Sequence, residues 1–186
     1  ALKADVCEIY TDVDGVYTTD PNVCSKARKL SKISYDEMLE MASLGAKVLQ
    51  IRSVEFAKKY GVRVHVRSSF NDNPGTIVCE EDKEMERVVV SGVTYNKNEA
   101  KIEIMRLPDV PGVAAKLFKP IADANIVVDM IIQTPSTEKG YADVAFTVPK
   151  SEFAKTLQII KGTIKEIGGK EVMADENIAK VSIVGV

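Results

Sequence analysis

The stretch KIEIMRLPDVPGVAAKLFKPIADA, residues 101–124, decides the fold of the second half of the chain. Its first seven residues largely alternate between polar and apolar side chains, which is typical of a strand with one buried face. The turn residues PDVPG follow at 108–112, and apolar residues then recur at helical spacing, although Pro120 strains the later turns. The stretch therefore predicts a strand, a tight turn and a helix.

The residues downstream complete this pattern. Two apolar runs at 126–133 and 141–148 predict strands on either side of a polar turn, and residues 151–167 carry apolar side chains at helical spacing. A last strand is predicted around residues 171–173. The order βαββαβ folds as an antiparallel sheet with two helices on one face. We therefore expect residues 101–178 to form a ferredoxin-like domain.

The first half has an α/β pattern. A short strand at residues 6–10 precedes a polar loop, and Ser34 with Glu37 three residues later is typical of a helix N-terminus. A second helix is predicted over residues 46–60, followed by a strand over 62–67. The expected fold class is thus α/β in the first half and α+β in the second.

A charged stretch at residues 80–87 separates the two halves. We predict a first domain at 1–80, a linker with a strand (88–94) at 81–100, and the ferredoxin-like domain at 101–178. The residues that follow, 179–186, are expected to start another domain, since a strand needs neighbours to pair its backbone groups. The chain also begins without Met, so we expect it to be part of a longer protein.

Composition excludes several classes of function. The 186 residues are 45% hydrophobic and 28% charged, which is typical of a globular protein, and the net charge of −2 provides no basic excess for nucleic acid. We find no apolar run of the roughly 20 residues that a membrane-spanning helix needs. Three scattered cysteines suit reduced thiols in the cytoplasm, and a single histidine, His65, argues against a His-based triad or metal site. No metal site is predicted.

The first candidate site is the stretch YTDVDGVYTTDP, residues 10–21, which we call the Asp-rich loop. Open α/β sheets bind ligands at the carboxyl ends of strands, and Gly15 allows close approach to the backbone. Asp-Gly and Asp-Pro pairs are equally typical of ordinary turns, so both interpretations stay open. Lys47, at the expected start of a helix, suits either an anion or a solvated surface.

The second candidate site is the turn at residues 107–115, which leads into a helix. The free N–H groups of a helix N-terminus suit a small carboxylate, and Asp109 suits an ammonium group, so together they would accept an amino acid. Alternatively, Asp109 only caps the helix. In the next strand, period-two spacing places Asp129 and Gln133 on the same face.

These motifs resemble those of the aspartate kinase family. The Asp-rich loop and residues 41–49 resemble two blocks of its nucleotide-binding catalytic domain, and the second half resembles the first of its paired ACT domains, which bind feedback amino acids. The resemblance covers nearly the whole chain, and it implies that residues 179–186 are the start of a truncated second ACT domain. It implies contacts with ATP, accompanied by Mg²⁺, through Thr11, Asp12, Tyr17, Asp20 and, at the phosphates, Lys47.

Two positions depart from the family pattern, since Asn22 and Gln50 stand where many members carry Arg and His.

The resemblance also implies that lysine or threonine binds between ACT domains as an effector, through a set of seven contacts. They are Asp109, Gly112, Val113, Ala114, Asp129, Met130 and Gln133.

By resemblance, the parent protein is a cytoplasmic kinase that converts ATP and L-aspartate into ADP and 4-phospho-L-aspartate, and it forms a homodimer or higher oligomer through ACT domains. The family's Lys-Phe-Gly-Gly and Ser-Asp-Thr segments, which bind phosphates and aspartate, have no counterpart in these 186 residues. We therefore expect the chain alone to be inactive. Two alternatives are an amino-acid-sensing regulatory subunit and a ferredoxin-like interaction domain without a ligand.

Overall fold

The computed structural model describes residues 4–82 and 89–185, which form two compact units. The first unit comprises the chain up to Asn96 together with the residues from Val181 onward, and the second unit comprises Lys97–Lys180. The domain boundaries expected at residues 80 and 100, and a new domain from 179, stay predictions.

In the described residues the helices and strands are β1 Val6–Thr11, β2 Lys32–Ser34, α1 Tyr35–Ser43, α2 Ile51–Tyr60, β3 Arg63–Ser68, β4 Thr76–Cys79, β5 Gly92–Asn96, β6 Glu99–Pro108, α3 Val113–Asp123, β7 Ile131–Pro135, β8 Tyr141–Pro149, α4 Phe153–Ile167, β9 Glu171–Asp175 and β10 Lys180–Val184.

The first unit contains a four-stranded sheet in the order β1-β3-β4-β2. β1 runs parallel to β3 and β2 runs parallel to β4, whereas β3 and β4 are antiparallel. Helices α1 and α2 contribute Met38 and Val54 to a core that also contains Val66 and Val78, all of them fully buried. Alternate residues of β3 are buried, and β3 pairs with β1, the strand that leads into the Asp-rich loop.

The start of α1 agrees with the sequence-based prediction. The Ser34 hydroxyl accepts a hydrogen bond from the Glu37 backbone N–H, and the Glu37 carboxylate accepts one from the Ser34 backbone N–H. These two bonds satisfy donors that the first helical turn otherwise leaves unpaired. The helix therefore begins where its local residues specify.

The prediction of a helix over residues 46–60 is wrong for its first five residues. α2 begins only at Ile51, and Gln50 takes the extended conformation of an N-cap residue. Gly45 lies at φ +118°, and a Cβ there would lie 2.9 Å from the Tyr95 carbonyl oxygen. The close approach of a second backbone segment keeps the chain between α1 and α2 out of helical conformation.

The predicted strand over residues 88–94 is displaced. Val88 lies outside the described residues, Val89 and Val90 are exposed, and the strand β5 forms at Gly92–Asn96. β5 pairs with β10. The extent of the strand therefore depends on a partner that follows about 90 residues later, which a local apolar run cannot indicate.

The second unit has the predicted βαββαβ order. Its antiparallel sheet runs β7-β8-β6-β9, and Leu117 of α3 and Ile160 of α4 are buried against strand residues such as Ile102 and Phe146. Phe118 and Phe146 meet edge to face at 5.3 Å between ring centroids. The ferredoxin-like fold is confirmed.

One strand of this unit is shorter than expected. The strand predicted over residues 126–133 begins as a regular ladder only at Ile131. Before it, the chain is joined to β8 by bonds from the Asp129 N–H to the Thr147 carbonyl and from the Thr147 N–H to the Met130 carbonyl. These bonds hold the segment beside the sheet without forming a continuous ladder.

Candidate functional site

The Asp-rich loop leaves the sheet at the carboxyl end of β1. The Thr11 hydroxyl donates to the Val13 carbonyl at 2.9 Å and accepts from the Val13 N–H at 3.1 Å, so it stabilises a tight turn. The neighbouring Asp12 side chain is exposed. Thr11 and Asp12 thus place a hydroxyl and a carboxylate side by side at the mouth of the loop.

Asp14 accepts hydrogen bonds from three other side chains. Its carboxylate accepts hydrogen bonds from the Tyr17 hydroxyl at 2.8 Å, the Lys29 ammonium at 3.2 Å and the Asn73 amide at 3.1 Å. The hydrogen bond from Tyr17, with smaller contributions from Lys29 and Asn73, lowers the pKa of Asp14, although partial burial opposes the shift. The same bond raises the pKa of Tyr17. Sequence reasoning missed Asp14, because its partners at 29 and 73 come from other loops. We call these four residues the Asp14 cluster.

The backbone beneath the cluster is closely packed. Gly15 lies at φ +141°, and a Cβ at this position would lie 2.5 Å from the Thr76 hydroxyl oxygen. That hydroxyl accepts from the Val16 N–H at 2.8 Å and donates to the Leu30 carbonyl at 2.6 Å. Only glycine combines this conformation with this contact, so Gly15 is a structural requirement of the loop.

Asp20 lies at the far end of the loop and is held by hydrogen bonds. Its carboxylate accepts from the Tyr95 hydroxyl at 2.9 Å and from the Asn22 N–H at 2.8 Å. The bond to Asp20 raises the pKa of Tyr95. The structure therefore ties Asp20 to β5, a contact that the sequence did not indicate.

Lys47 does not stand at a helix N-terminus, contrary to the expectation. It is exposed in the segment between α1 and α2, and Gln50, which makes no side-chain cap bond, precedes the helix. An exposed ammonium can still neutralise a phosphate as a point charge. An anion at Lys47 would therefore be attracted by the ammonium charge alone and not by a helix dipole.

The second candidate site is the turn between β6 and α3. Gly112, at φ +86°, occupies the N-cap position of α3 without a side-chain cap bond, so the alternative that Asp109 caps this helix is wrong. The Asp109 N–H donates to the Gly140 carbonyl at 3.0 Å, and its carboxylate accepts from the Gln133 amide at 3.5 Å. The residues around the start of the helix, among them Gly112 and Ala114, are exposed. An open helix N-terminus next to a carboxylate therefore exists here.

Asp129 lies in a different part of the same unit. Its carboxylate pairs with the Lys180 ammonium, which also lies 3.8 Å from the Glu99 carboxylate. Glu99 begins β6, whereas Asp109 follows its last residue. At about 3.3 Å per residue, the two ends of β6 are roughly 30 Å apart. The structure brings Asp109 and Gln133 together and separates Asp129 and the adjacent exposed Met130 from them.

Two further features bear on the type of site. In the part of the chain that the structure describes, no group of three His, Cys, Asp or Glu side chains is placed to hold a metal ion. Across the same residues, no helix combines the length and apolar character needed to cross a membrane.

Comparison with known proteins finds similarity to two family models along the chain. Residues 1–68 match the amino acid kinase family, and residues 101–164 match the ACT domain. An aspartate kinase from Pseudomonas putida is 54% identical to this chain, over all of the chain and 45% of that protein.

Solved structures of aspartate kinases are similar to this chain as well. E. coli aspartokinase III in complex with aspartate and ADP is 29% identical, with a TM-score of 0.75 over 99% of this chain and 41% of that one. The same enzyme in complex with lysine and aspartate is 28% identical, with a TM-score of 0.73 over 99% and 40%. The expected fold class and the resemblance to aspartate kinases are confirmed, and the chain spans less than half the length of these relatives.

Proposed function

We propose that this chain, which is similar to aspartate kinases from its first residues to its last, is the part of such an enzyme that binds nucleotide through its first unit and a feedback amino acid through its second unit. The whole protein would transfer the γ-phosphoryl group of ATP to the β-carboxylate of L-aspartate, giving ADP and 4-phospho-L-aspartate. The observation that carries the proposal is the 54% identity that extends through both units.

The Asp-rich loop is the proposed nucleotide site. Thr11 and Asp12 offer adjacent polar groups for the adenine and ribose, and the half-buried Tyr17 ring lies in the same loop. Asp20 would close the far side of the site, and the exposed Lys47 would neutralise phosphate charge. Mg²⁺ bound to the phosphates would offset further negative charge, and the proposal assigns it no ligand in this chain. ADP in the related E. coli structure supports nucleotide use.

The second unit is the proposed effector site. The open N-terminus of α3 at Gly112, Val113 and Ala114 suits a carboxylate, and Asp109 with Gln133 suits an ammonium group. Asp129 and Met130 are too far away to contact the same small molecule within one unit. They would complete the site only if two such domains pair, which is consistent with the expected homodimer or higher oligomer and with an effector held between ACT domains. The lysine-bound E. coli enzyme supports lysine as effector, with threonine as the other candidate.

A purely regulatory chain is the weaker candidate. Residues 1–68 match the amino acid kinase family and include the polar loop at the end of β1, which amino acid sensing alone would not require. We propose the cytoplasm as the site of the reaction, since ATP and aspartate are both available there.

The test is ADP release by the full-length protein, with and without L-aspartate, in the presence of Mg²⁺. Aspartate-dependent release that lysine or threonine inhibits supports the proposal, and its absence in a folded protein contradicts the kinase assignment. The isolated 186 residues are expected to release no ADP in the same assay, because less than half of the relatives' length is present.

A further inference from the structure

The Asp14 cluster joins three separate loops. Asp14 lies in the Asp-rich loop, Lys29 lies before β2, and Asn73 lies in the connection between β3 and β4. Their side chains converge on one carboxylate whose side chain is only 22% exposed. A carboxylate that receives three hydrogen bonds, one of them from an ammonium group, is held far more rigidly than a surface carboxylate with a single partner.

The consequence for Tyr17 is a fixed ring. Its backbone forms a bridge with Lys29, and its hydroxyl is bound to Asp14, so both ends of the residue are restrained. The lowered pKa of Asp14 and the raised pKa of Tyr17 agree with a charged acceptor and a neutral donor near neutral pH. The ring therefore keeps one orientation before any ligand arrives.

The backbone of the loop is secured by other contacts. Thr76 links Val16 to Leu30 through its buried hydroxyl, and these bonds do not involve the Asp14 side chain. Loss of the Asp14 carboxylate would therefore release the Tyr17 ring and leave the main chain of the loop in place. This separation allows a positioning role to be distinguished from a purely structural one.

We propose that Asp14 is a positioning residue that holds the Tyr17 ring in the orientation required to bind the nucleotide. The inference rests on the proposed nucleotide site and adds a residue that itself makes no contact with the ligand. Its expected signature is a change in the affinity for ATP, with little change in the affinity for aspartate.

The experiment compares four variants of the full-length protein: Asp14→Ala, Asp14→Asn, Tyr17→Phe and the control Asp36→Ala. Asp36 is an acidic residue of the same unit, 75% exposed, and from the first turn of α1 it forms an ion pair with Lys58. Steady-state kinetics and equilibrium binding of a fluorescent ATP analogue are measured for each variant, together with the thermal unfolding midpoint.

For Asp14→Ala we expect the KM for ATP and the Kd of the analogue to rise about 5- to 20-fold, while the KM for aspartate stays within twofold. Asp14→Asn should recover most of this loss, because an amide can still hydrogen-bond the Tyr17 hydroxyl. Both Asp14 variants lose the charge that pairs with Lys29, so they should unfold at similar temperatures. Recovery of binding without recovery of stability identifies positioning.

A double-mutant cycle completes the test. Asp14→Ala combined with Tyr17→Phe should weaken nucleotide binding no more than the stronger single change, because both act through one bond. Additive losses, an unchanged Kd in Asp14→Ala, or equal losses in Asp14→Asn and Asp14→Ala would overturn the inference. If the unsubstituted protein releases no ADP with aspartate, the proposed function fails; if it is active and Asp14→Ala binds nucleotide normally, only this inference fails.

Discussion

Replacing Gly15 with alanine tests whether the Asp-rich loop depends on a glycine. The residue lies at φ +141°, where an L side chain costs about 1–3 kcal/mol. The new Cβ would also lie 2.5 Å from the Thr76 hydroxyl oxygen and 3.3 Å from the Gly75 carbonyl carbon, so the Thr76 side chain must move.

Movement of Thr76 has its own cost. Its hydroxyl is fully buried and bonds both the Val16 N–H and the Leu30 carbonyl. Leaving a buried backbone group without a partner costs about 1–3 kcal/mol. Together with the backbone strain, we expect Gly15→Ala to destabilise the first unit by about 4 kcal/mol.

Gly61→Ala is the matched control. Gly61 belongs to the same unit and also has a positive φ, +63°, but a Cβ there meets nothing within 4 Å. Gly61→Ala should therefore lower the free energy of unfolding only by the strain of a left-handed residue, about 1 kcal/mol. The difference between the two variants isolates the contact with Thr76.

The assay is denaturant unfolding of the chain followed by far-UV circular dichroism, with amide hydrogen exchange of β3 and β4 as a readout for the first unit. A loss for Gly15→Ala within about 0.5 kcal/mol of the loss for Gly61→Ala would refute the argument, since the contact with Thr76 would then cost nothing. Weakened binding of nucleotide by Gly15→Ala in the full-length protein is expected in addition.

Three further predictions concern single contacts. Ser34→Ala removes one half of the capping box of α1 and should lower the stability of the first unit by about 1 kcal/mol in denaturant unfolding, and an unchanged midpoint would contradict the capping role. Lys180→Met removes the ammonium shared by the buried Glu99 and the exposed Asp129, and it should destabilise the second unit by about 3 kcal/mol. Lys119→Met, which breaks an exposed pair with Asp123, should cost less than about 0.5 kcal/mol, and equal losses would show that burial does not matter. Hydrogen bonding lowers the pKa of Asp14 in the folded state, so its contribution to stability is present above the ordinary carboxyl pKa near 4 and is lost as pH falls below it. Asp14→Asn should therefore reduce the loss of stability at acid pH. An identical dependence of stability on acid pH in both proteins would count against this.

Local patterns predicted most of the regular elements. The capping residues Ser34 and Glu37 marked the start of α1, and Gly61 marked the end of α2. These signals are reliable because each depends on bonds between residues a few positions apart. The prediction failed over residues 46–50, where contact with the Tyr95 backbone outweighs the local helical pattern.

The candidate sites were predicted in part. The Asp-rich loop and the turn before α3 were found from their polar and glycine residues, but the expected cap role of Asp109 was wrong because the chain reaches the helix through Gly112. Period-two spacing suggested that Asp129 and Gln133 share a face. The ladder of β7 starts only after Asp129, whose partner is Lys180, 51 residues away.

The sequence alone determined the class of each half, the order of the second-unit elements and the two loops in which polar groups gather, since alternation, helical spacing and turn residues act over short distances. Only the tertiary structure decided which partners the loop carboxylates bind. Asp14 meets Lys29 and Asn73, 15 and 59 residues away, because strand pairing brings three loops to one end of a sheet. A carboxylate in a loop has no periodic pattern to specify its partner, so its role depends on where the rest of the chain crosses it.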